Sequence, residues 1–385
     1  MLVLVTDGED RAALAACRAL ARAGHTVAVA AGRRPAPAHS SRACATRLYV
    51  PRSLAAEEFV SGLATALLTT TYDALLPASD AALLALSRFR ERLPSPLLLG
   101  LPPRDAIARS LSKLALLEEA GRVGFAVPES EECVGKSEAL AAAAALGYPV
   151  VAKPTTSIVT AGDRAQRQGS RVAHDRTKLD HALSALGTPV LIQRFYDGAK
   201  VLSLAGVASQ SGLAAVVAAS WSRRWPPVDG AASFAETVVP SPAVVERGEA
   251  LLAALGWQGI FELELLDLGG GRFAPIDLNP RPFGWMTLAV RAGANLPAVW
   301  LECLRGVDPA RVVARPGVRY RWEEGDLRHL LWQLRHGHAR AAAAVLRPRR
   351  RVVHAYFERA DPAPLGAALV DLGRRSVRQT LTTRV

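Results

Sequence analysis

The segment FAPIDLNPRP, residues 273 to 282, sets Asp277, Asn279 and Arg281 at alternate positions. Alternate side chains of a strand share one face, so a carboxylate, an amide and a guanidinium converge on one place. Just before it, GIFELELLD (259 to 267) carries Glu262 and Glu264 in an otherwise apolar run, and three glycines separate the two stretches. A hairpin turning on Gly270 and Gly271, where glycine supplies the positive φ of a two-residue loop, sets Glu264 opposite Asp277 and Glu262 opposite Asn279. Directly opposed Cβ atoms stand roughly 5 Å apart. Carboxylates packed that closely repel one another and lose hydration unless a cation lies between them. Carboxylate and amide oxygens suit Mg²⁺, with Mn²⁺ as a substitute, and protein-bound Mg²⁺ completes its shell with waters and substrate phosphates. The set therefore predicts a nucleotide. An edge hairpin with one solvated polar face is the alternative reading of the same residues.

The chain that must position this hairpin has 385 residues, half of them apolar and 21% charged, enough for two or three globular domains. No stretch approaches the ~18 uninterrupted apolar residues of a membrane span, and the first apolar run is short and followed by acid. Cys17, Cys44, Cys133 and Cys303 are widely spaced without a CxxC, which suits reduced thiols and gives no zinc pattern. Together these features predict a cytoplasmic protein. LVLVT (2 to 6), a helical pattern over 9 to 23 closed by Gly24, and TVAVAA (26 to 31) read as strand, helix, strand, hence a parallel sheet. Its first turn, TDGED, lacks the glycine fingerprint of a dinucleotide site.

YDALLP (72 to 77) leads through Ser79 or Asp80 as N-cap into a helix, and the proline-rich LPSPLLLGLPP (93 to 103) marks a boundary. Beyond it SLSKLALLEEAGRVGFAVPES reads as a capped helix and a short extended segment. SEALAAAAALG (137 to 147) is a helix with Ser137 capping its start and Gly147 its end. YPVVAKP (148 to 154) is a strand whose one charge is Lys153. A polar loop rich in Gly, Ser and Thr (155 to 172) and the strand TPVLIQRFYDG (188 to 198) follow.

As a set, these pieces resemble the ATP-grasp superfamily. FELELLDLGGGRFAPIDLNPRP is similar to its metal-binding hairpin, which holds two Mg²⁺ on the ATP phosphates. The resemblance implies Glu264, Asp277 and Asn279 as metal ligands, with Glu262 beside them. SKLALLEEAGRVGFAVPES and YPVVAKP resemble the segments of the two nucleotide-binding lysines, matched by Lys113 and Lys153. Lys153 would set its ammonium against phosphate or simply snorkel from a strand end; Lys113 would do the same or be an exposed surface lysine. The stretch from Ser157 to Val172 corresponds to the phosphate-covering loop, with Gly162, Gly169 and Ser170 as candidates for an anion nest. VLIQRFYDG corresponds to the adenine-reading hinge, matched by Gln193, Arg194, Phe195 and Tyr196. LAVRAGANLPAVWLECLRG continues as the helix after the metal site. Arg281 would stabilise negative charge building on the acceptor, or else form a salt bridge to Asp277. The likeness covers roughly residues 1 to 310. It departs from the family pattern at Asp277, where Glu is more frequent, at Ser112, often Asp, and at Arg194 and Lys200, hinge positions that are often acidic.

The fold this implies is α/β of ATP-grasp type. Residues 1 to 104 would form a Rossmann-like pre-ATP-grasp domain, 105 to 190 a lid, and 191 to 310 a catalytic subdomain with a mostly antiparallel sheet. Residues 311 to 385 would be a basic helical extension. The activity it implies is attack of a carboxylate on the γ-phosphate, giving an acyl phosphate and ADP, then displacement of phosphate by an amine to form an amide or peptide bond. The opening α/β unit, LPASD, the NPRP ending and a late DPAP (361 to 364) look most like carboxylate-amine ligases acting on small molecules such as amino acids or short peptides. Nothing resembles a biotinyl-carrier segment. A catalytically weak ATP-binding regulator or scaffold on the same fold is the alternative, and a homodimer is expected from the family.

RRWPPVDGAASF (223 to 234) brings Arg223 and Arg224 near the expected acceptor pocket, where they would hold a substrate carboxylate; a surface pair is the alternative. The net charge is +12, and residues 311 to 385, with 16 Arg, no Lys and 6 Asp or Glu, carry +10 of it. GDLRHLLWQLRHGHARAAAAVLRPRRR places Leu327, Leu330, Leu331 and Leu334 at helical spacing, as in a helix packed on its own domain. The cluster of Arg347, Arg349, Arg350 and Arg351 would meet nucleic acid or anionic lipid, as in an adaptor whose tail does the work, or be a solvated face, the default. No nucleic-acid motif accompanies it, so the expected partners are a small-molecule carboxylate and an amine.

Overall fold

The computed structural model describes residues 1 to 382 apart from 157, 162, 163 and 228. β1 (Leu2–Val5), β2 (Thr26–Ala31), β3 (Thr46–Tyr49) and β4 (Ala74–Leu76) form a parallel sheet in the order β3-β2-β1-β4. The near-continuous apolar runs of β1, β2 and β4 suit strands covered on both faces, whereas β3, TRLY, is a largely exposed edge strand. Leu14 and Leu20 of α1 (Arg11–Arg22) pack on Val3, Val5, Val27 and Val29. Phe59 and Leu63 of α2 (Ala56–Thr69) and Leu86 of α3 (Asp80–Arg88) pack with Leu4, Ala28 and Leu75. Of the two cap candidates Ser79 is the N-cap of α3, accepting from the Ala82 N–H at 3.0 Å, and Asp80 is the first helical residue.

α4 (Arg104–Leu111) and α5 (Lys113–Arg122) follow, separated by Ser112, whose hydroxyl accepts from the Ala115 N–H at 3.3 Å and caps α5. A small unit then comprises β5 (Ser130–Cys133), α6 (Lys136–Leu146), β6 (Val150–Pro154), β7 (Ile158–Ala161), β8 (Arg164–Arg167), β9 (Arg171–Ala173), α7 (Arg176–Leu186) and β10 (Val190–Arg194). Its antiparallel sheet runs β5-β10-β6-β9, with α6 and α7 packed on it. Three expectations are corrected. Gly135, not Ser137, is the N-cap of α6, and Glu138 reaches back to accept from the Val134 N–H at 2.9 Å. The segment read as a polar loop contains an antiparallel pair, β7 with β8. Residues 191 to 194, assigned to the following subdomain, pair within this sheet.

The rest of the chain gives β11 (Lys200–Ser209), β12 (Gly212–Trp225), β13 (Ala231–Val238), α8 (Pro242–Leu255), β14 (Gly259–Asp267), β15 (Phe273–Asn279), α9 (Met286–Arg291) and α10 (Leu296–Leu304). Then come β16 (Val312–Val313), β17 (Arg319–Arg321), α11 (Glu323–Arg335), α12 (Ala339–Leu346), β18 (Val352–His354) and α13 (Ala363–Thr382). The main sheet runs β15-β14-β11-β12-β13-β17-β18, antiparallel except for the last pair, with β16 beside β12. Residues beyond 310, expected as a helical extension, therefore also complete this sheet. One face packs with α1, α9 and α10 in a core shared with the N-terminal sheet; the other packs on α4, α5 and α8. Among the described residues no helix is long and apolar enough to cross a membrane.

The β14–β15 hairpin differs from its expected form in two places that cancel. Gly269, Gly270 and Gly271 all have positive φ, and the Leu268 N–H donates to the Arg272 carbonyl at 2.9 Å, so the turn is one glycine longer than a two-residue loop. Leu265 then pairs with Pro275 but Glu264 with Asp277, which leaves Ile276 bulged. Pro275 has no N–H for the ladder, and bulges are where sheets accommodate proline. Beyond the bulge the register is the expected one, Glu264 with Asp277 and Glu262 with Asn279.

Candidate active site

Glu262, Glu264, Asp277 and Asn279 share one face of the hairpin, where Ser203 of β11 donates to Glu262 Oε1 at 3.1 Å. Trp285, just before α9, donates its indole N–H to the same oxygen. The Asn279 amide donates to Glu262 Oε2 at 3.2 Å and to Glu264 Oε1 at 3.1 Å. Glu262 is buried, while the other three are partly exposed. Burial pushes the Glu262 carboxyl up to about 7 despite the hydrogen bonds from Trp285 and Ser203. Burial, then the charges of Glu262 and Asp277, push Glu264 well above the carboxylate range.

Two lysines reach this face from different elements. Lys113, the first residue of α5, sets Nζ 2.5 Å from Asp277 Oδ1. Lys153, in β6, donates to the carbonyl of bulged Ile276 at 3.2 Å. They meet because the Lys113 N–H donates to the Thr155 carbonyl at 3.0 Å and Ser112 bridges Thr156, which draws the start of α5 onto the end of β6. Both lysines are buried, so neither is the exposed or snorkelling side chain that was the alternative. Burial, and next the charge of Lys113, lower the Lys153 ammonium to about 8. As the side chains stand, no three carboxylate, imidazole or thiol groups among the described residues enclose a metal ion. Asp277 and Glu264 meet Lys113 and the Asn279 amide instead. The donor set is all oxygen and its raised carboxyls are short of positive charge, which fits a hard divalent cation.

Arg281 is placed differently from expectation. Its Nε and Nη2 grip Asp80 of α3 at 2.7 and 3.1 Å, Nη2 also donates to Asn279 Oδ1 at 2.8 Å, and Nη1 donates to the Pro282 carbonyl at 2.9 Å. Its partner is thus Asp80, not Asp277, and among the described residues four of its five N–H groups find acceptors. The arginine pair splits. Arg223 is committed to Asp326 of α11, at 2.9 and 2.5 Å, so the expectation that it holds substrate is corrected. Arg224 makes no side-chain hydrogen bond or ion pair among the described residues, and burial, against the charges of Glu264 and Asp229, lowers its pKa.

At the hinge Gln193 is buried and donates to the Ser130 hydroxyl at 2.9 Å; Arg194 points to solvent and pairs with Glu129 at 2.9 Å; Phe195 and Tyr196 are partly buried just past β10. Gly169 and Ser170 link β8 to β9, and Ser157 and Gly162 lie outside the described residues. Sequence reasoning missed three groups. Asp80 was visible only as a cap candidate, Ser203 only as a polar residue in an apolar strand, and no local signal marked Trp285.

No protein-family model and no curated protein matches the chain. Its similarity is to solved structures. N5-carboxyaminoimidazole ribonucleotide synthetase from Thermus thermophilus superposes with a TM-score of 0.60 at 18% identity, over 82% of this chain and 81% of that one. L-amino acid ligase from Bacillus licheniformis gives 0.58 at 16%, over 79% and 74%. The biotin carboxylase domain dimer of Hydrogenobacter thermophilus 2-oxoglutarate carboxylase, in complex with MgADP, ADP and bicarbonate, gives 0.62 at 15%, over 83% and 73%. At these identities the likeness is one of fold.

Proposed function

For a chain with the ATP-grasp fold, we propose an ATP-dependent carboxylate-amine ligase that joins an amino acid or small peptide to an amine through an acyl phosphate. The observation that carries this reading is the convergence of Lys113 and Lys153 on the carboxylate face of the β14–β15 hairpin. Lys153 balances phosphate charge from β6, and Lys113, released from Asp277, does so from the start of α5. Gln193, Phe195 and Tyr196 border the adenine, Ser157, Gly162, Gly169 and Ser170 belong to the segment over the phosphates, and Arg194 stays at the solvent edge. Mg²⁺, or Mn²⁺ in its place, would be held by Glu264, Asp277 and Asn279 with Glu262 behind them, and supplies charge neutralisation on the phosphates.

Arg224, a partly buried cation near Glu264 that makes no ion pair among the described residues, binds the carboxylate substrate. An oxygen of that carboxylate bonds to the γ-phosphorus as the bond to the β–γ bridging oxygen breaks, and ADP leaves. The amine nitrogen then bonds to the acyl carbon, the carbon–oxygen bond to phosphate breaks, and the amine loses its proton to water. Arg281 acts as a positioning residue, orienting Asn279. The same reading places the enzyme in the cytoplasm as a homodimer.

The test is ADP release from Mg-ATP with hydroxylamine as a generic amine, across a panel of amino acids and short peptides. A hydroxamate from one class of acid, lost in Glu264→Ala and Asp277→Ala, is the expected result. A second reading, ATP binding without turnover, is favoured by the Lys113–Asp277 pair, which occupies a metal ligand. Mg-ATP binding with no ADP from any acid would select it.

A further inference from the structure

The face that α11 buries is polar. Asp326 takes Arg223 and, at 3.0 Å, Arg321; His329 lies 3.0 Å from the Arg224 carbonyl; Gln333 joins His329 at 3.0 Å and His338 at 2.8 Å. Leu327, Leu331 and Leu334, at i, i+4 and i+7 on the opposite face, are 44%, 49% and 57% exposed. The sequence pattern expected these leucines to pack on the chain's own domain. They do not, because ion pairs and hydrogen bonds to β12 and β17 hold the helix by its polar side. α12, packed against α11, leaves Leu346 67% exposed. An apolar row of this kind rimmed by charge marks an interaction surface.

The charge around it has one sign. From Leu327 to Phe357 there are seven arginines and no Asp or Glu. Arg335, Arg340, Arg347, Arg349, Arg350 and Arg351 are exposed and make no ion pair among the described residues. Such a field repels a second copy of itself and attracts an anionic surface. A nucleic acid would use the arginines and leave the leucines in water. A bilayer surface uses both, with guanidinium groups on headgroup phosphates and leucines at the acyl boundary.

We propose that the α11–α12 hairpin docks peripherally on a bilayer carrying anionic lipid. Docking there sets the acceptor end of the active site toward the membrane, because the inner face of α11 carries the contacts to Arg223 and Arg224, one helix width of roughly 10 Å away. The docking itself does not depend on the ligase reading.

The experiment is flotation of the full chain with vesicles of phosphatidylcholine alone or mixed with phosphatidylglycerol, at low and high salt. We expect binding to the anionic vesicles at least about tenfold tighter than to neutral ones, weakened by salt. Two variants are compared, the triple Leu327→Ser, Leu331→Ser, Leu334→Ser and the triple Arg347→Glu, Arg349→Glu, Arg350→Glu. Each should lose about tenfold or more while keeping the wild-type melting temperature and Mg-ATP binding, since all six side chains are exposed. Three results would overturn the proposal. One is no partition of wild type to anionic vesicles. Another is vesicle binding that the leucine variant retains and single-stranded RNA competes away, which marks a polyanion site. The last is a wild-type dimer that the leucine variant converts to monomer without any vesicle binding.

Discussion

Lys153 and Glu262 set the pH behaviour of the site. The Lys153 ammonium, lowered to about 8 by burial and by Lys113, loses its proton in the free protein as pH rises past 8, whereas a phosphate beside it would hold that proton. Mg-ATP affinity should therefore be flat below about pH 8 and weaken up to tenfold per pH unit above it, as calorimetry across pH 7 to 9.5 would show. Lys153→Arg, whose guanidinium stays charged, should flatten the profile; a wild-type affinity that is flat to pH 9.5 removes Lys153 from the phosphates. The stability term has the opposite sign, because a lysine depressed in the folded state gives stability that grows as pH rises from 8 toward 10.5. Glu262, raised to about 7, gives the converse: the folded state holds its proton longer than the unfolded chain, so stability is lost as pH climbs from 4.5 through 7. A bound divalent cation offsets that loss. Mg²⁺ should raise the melting temperature at pH 8 more than at pH 5, and Glu262→Gln should shrink the difference without removing it, because burial also raises Glu264.

Between elements, the decisive tie is Arg281 with Asp80, which joins the end of the β14–β15 hairpin to the start of α3 with both side chains buried. Removing one partner leaves an uncompensated buried charge, so Asp80→Ala should cost about 3–5 kcal/mol in urea denaturation. The double variant Asp80→Leu, Arg281→Met should regain most of that stability while ADP release stays low, because Asn279 has lost its 2.8 Å donor. Recovery of activity together with stability would show that Arg281 has no positioning role. This pair also marks how far the sequence was legible. The hairpin and its register could be read locally, since alternation and glycines are short-range signals, although the longer turn and the Ile276 bulge compensate in a way no pattern announces. Lys113 and Lys153 were identifiable by resemblance, but the bridge from Ser112 to Thr156 that unites them spans two elements. Asp80 lies 201 residues from Arg281, and periodicity carries no information across such a gap. The leucines of α11 misled for the same reason, because what decides its orientation is Asp326 meeting Arg223 from another strand.

Over the whole molecule, the C-terminal residues act as a clasp. β16, β17 and β18 complete the main sheet, and Asp361 of the DPAP segment reaches the N-terminal sheet's helices and loops, accepting from Arg18 Nε at 2.9 Å, Ser41 Oγ at 2.5 Å and the Arg42 N–H at 3.0 Å. Arg18 is buried and also donates to the Tyr356 and Asp361 carbonyls, each at 2.9 Å, so the N-terminal α/β unit is held to the carboxylate-bearing sheet from behind as well as through Arg281. The charge asymmetry suggested a separate tail, because composition reports where arginines are in the chain and not which carboxylates they meet. Asp361 gives a test at this scale. Burial alone would raise its pKa, but the Ser41 hydroxyl, the Arg42 N–H and the Arg18 guanidinium together hold it below the ordinary 3.8. A depressed carboxyl contributes stability that is present above the unfolded pKa and lost as pH falls through the folded one. Asp361→Ala should therefore cost about 3 kcal/mol at pH 7, with the buried Arg18 keeping, of its carboxylate contacts, only the 3.8 Å one to Glu358, and the gap to wild type should narrow below pH 3.8 as the native carboxyl protonates. A gap that is constant from pH 7 to pH 3 would mean that the clasp rests on packing of Tyr356 and Ala368 in the shared core and not on the Asp361 charge.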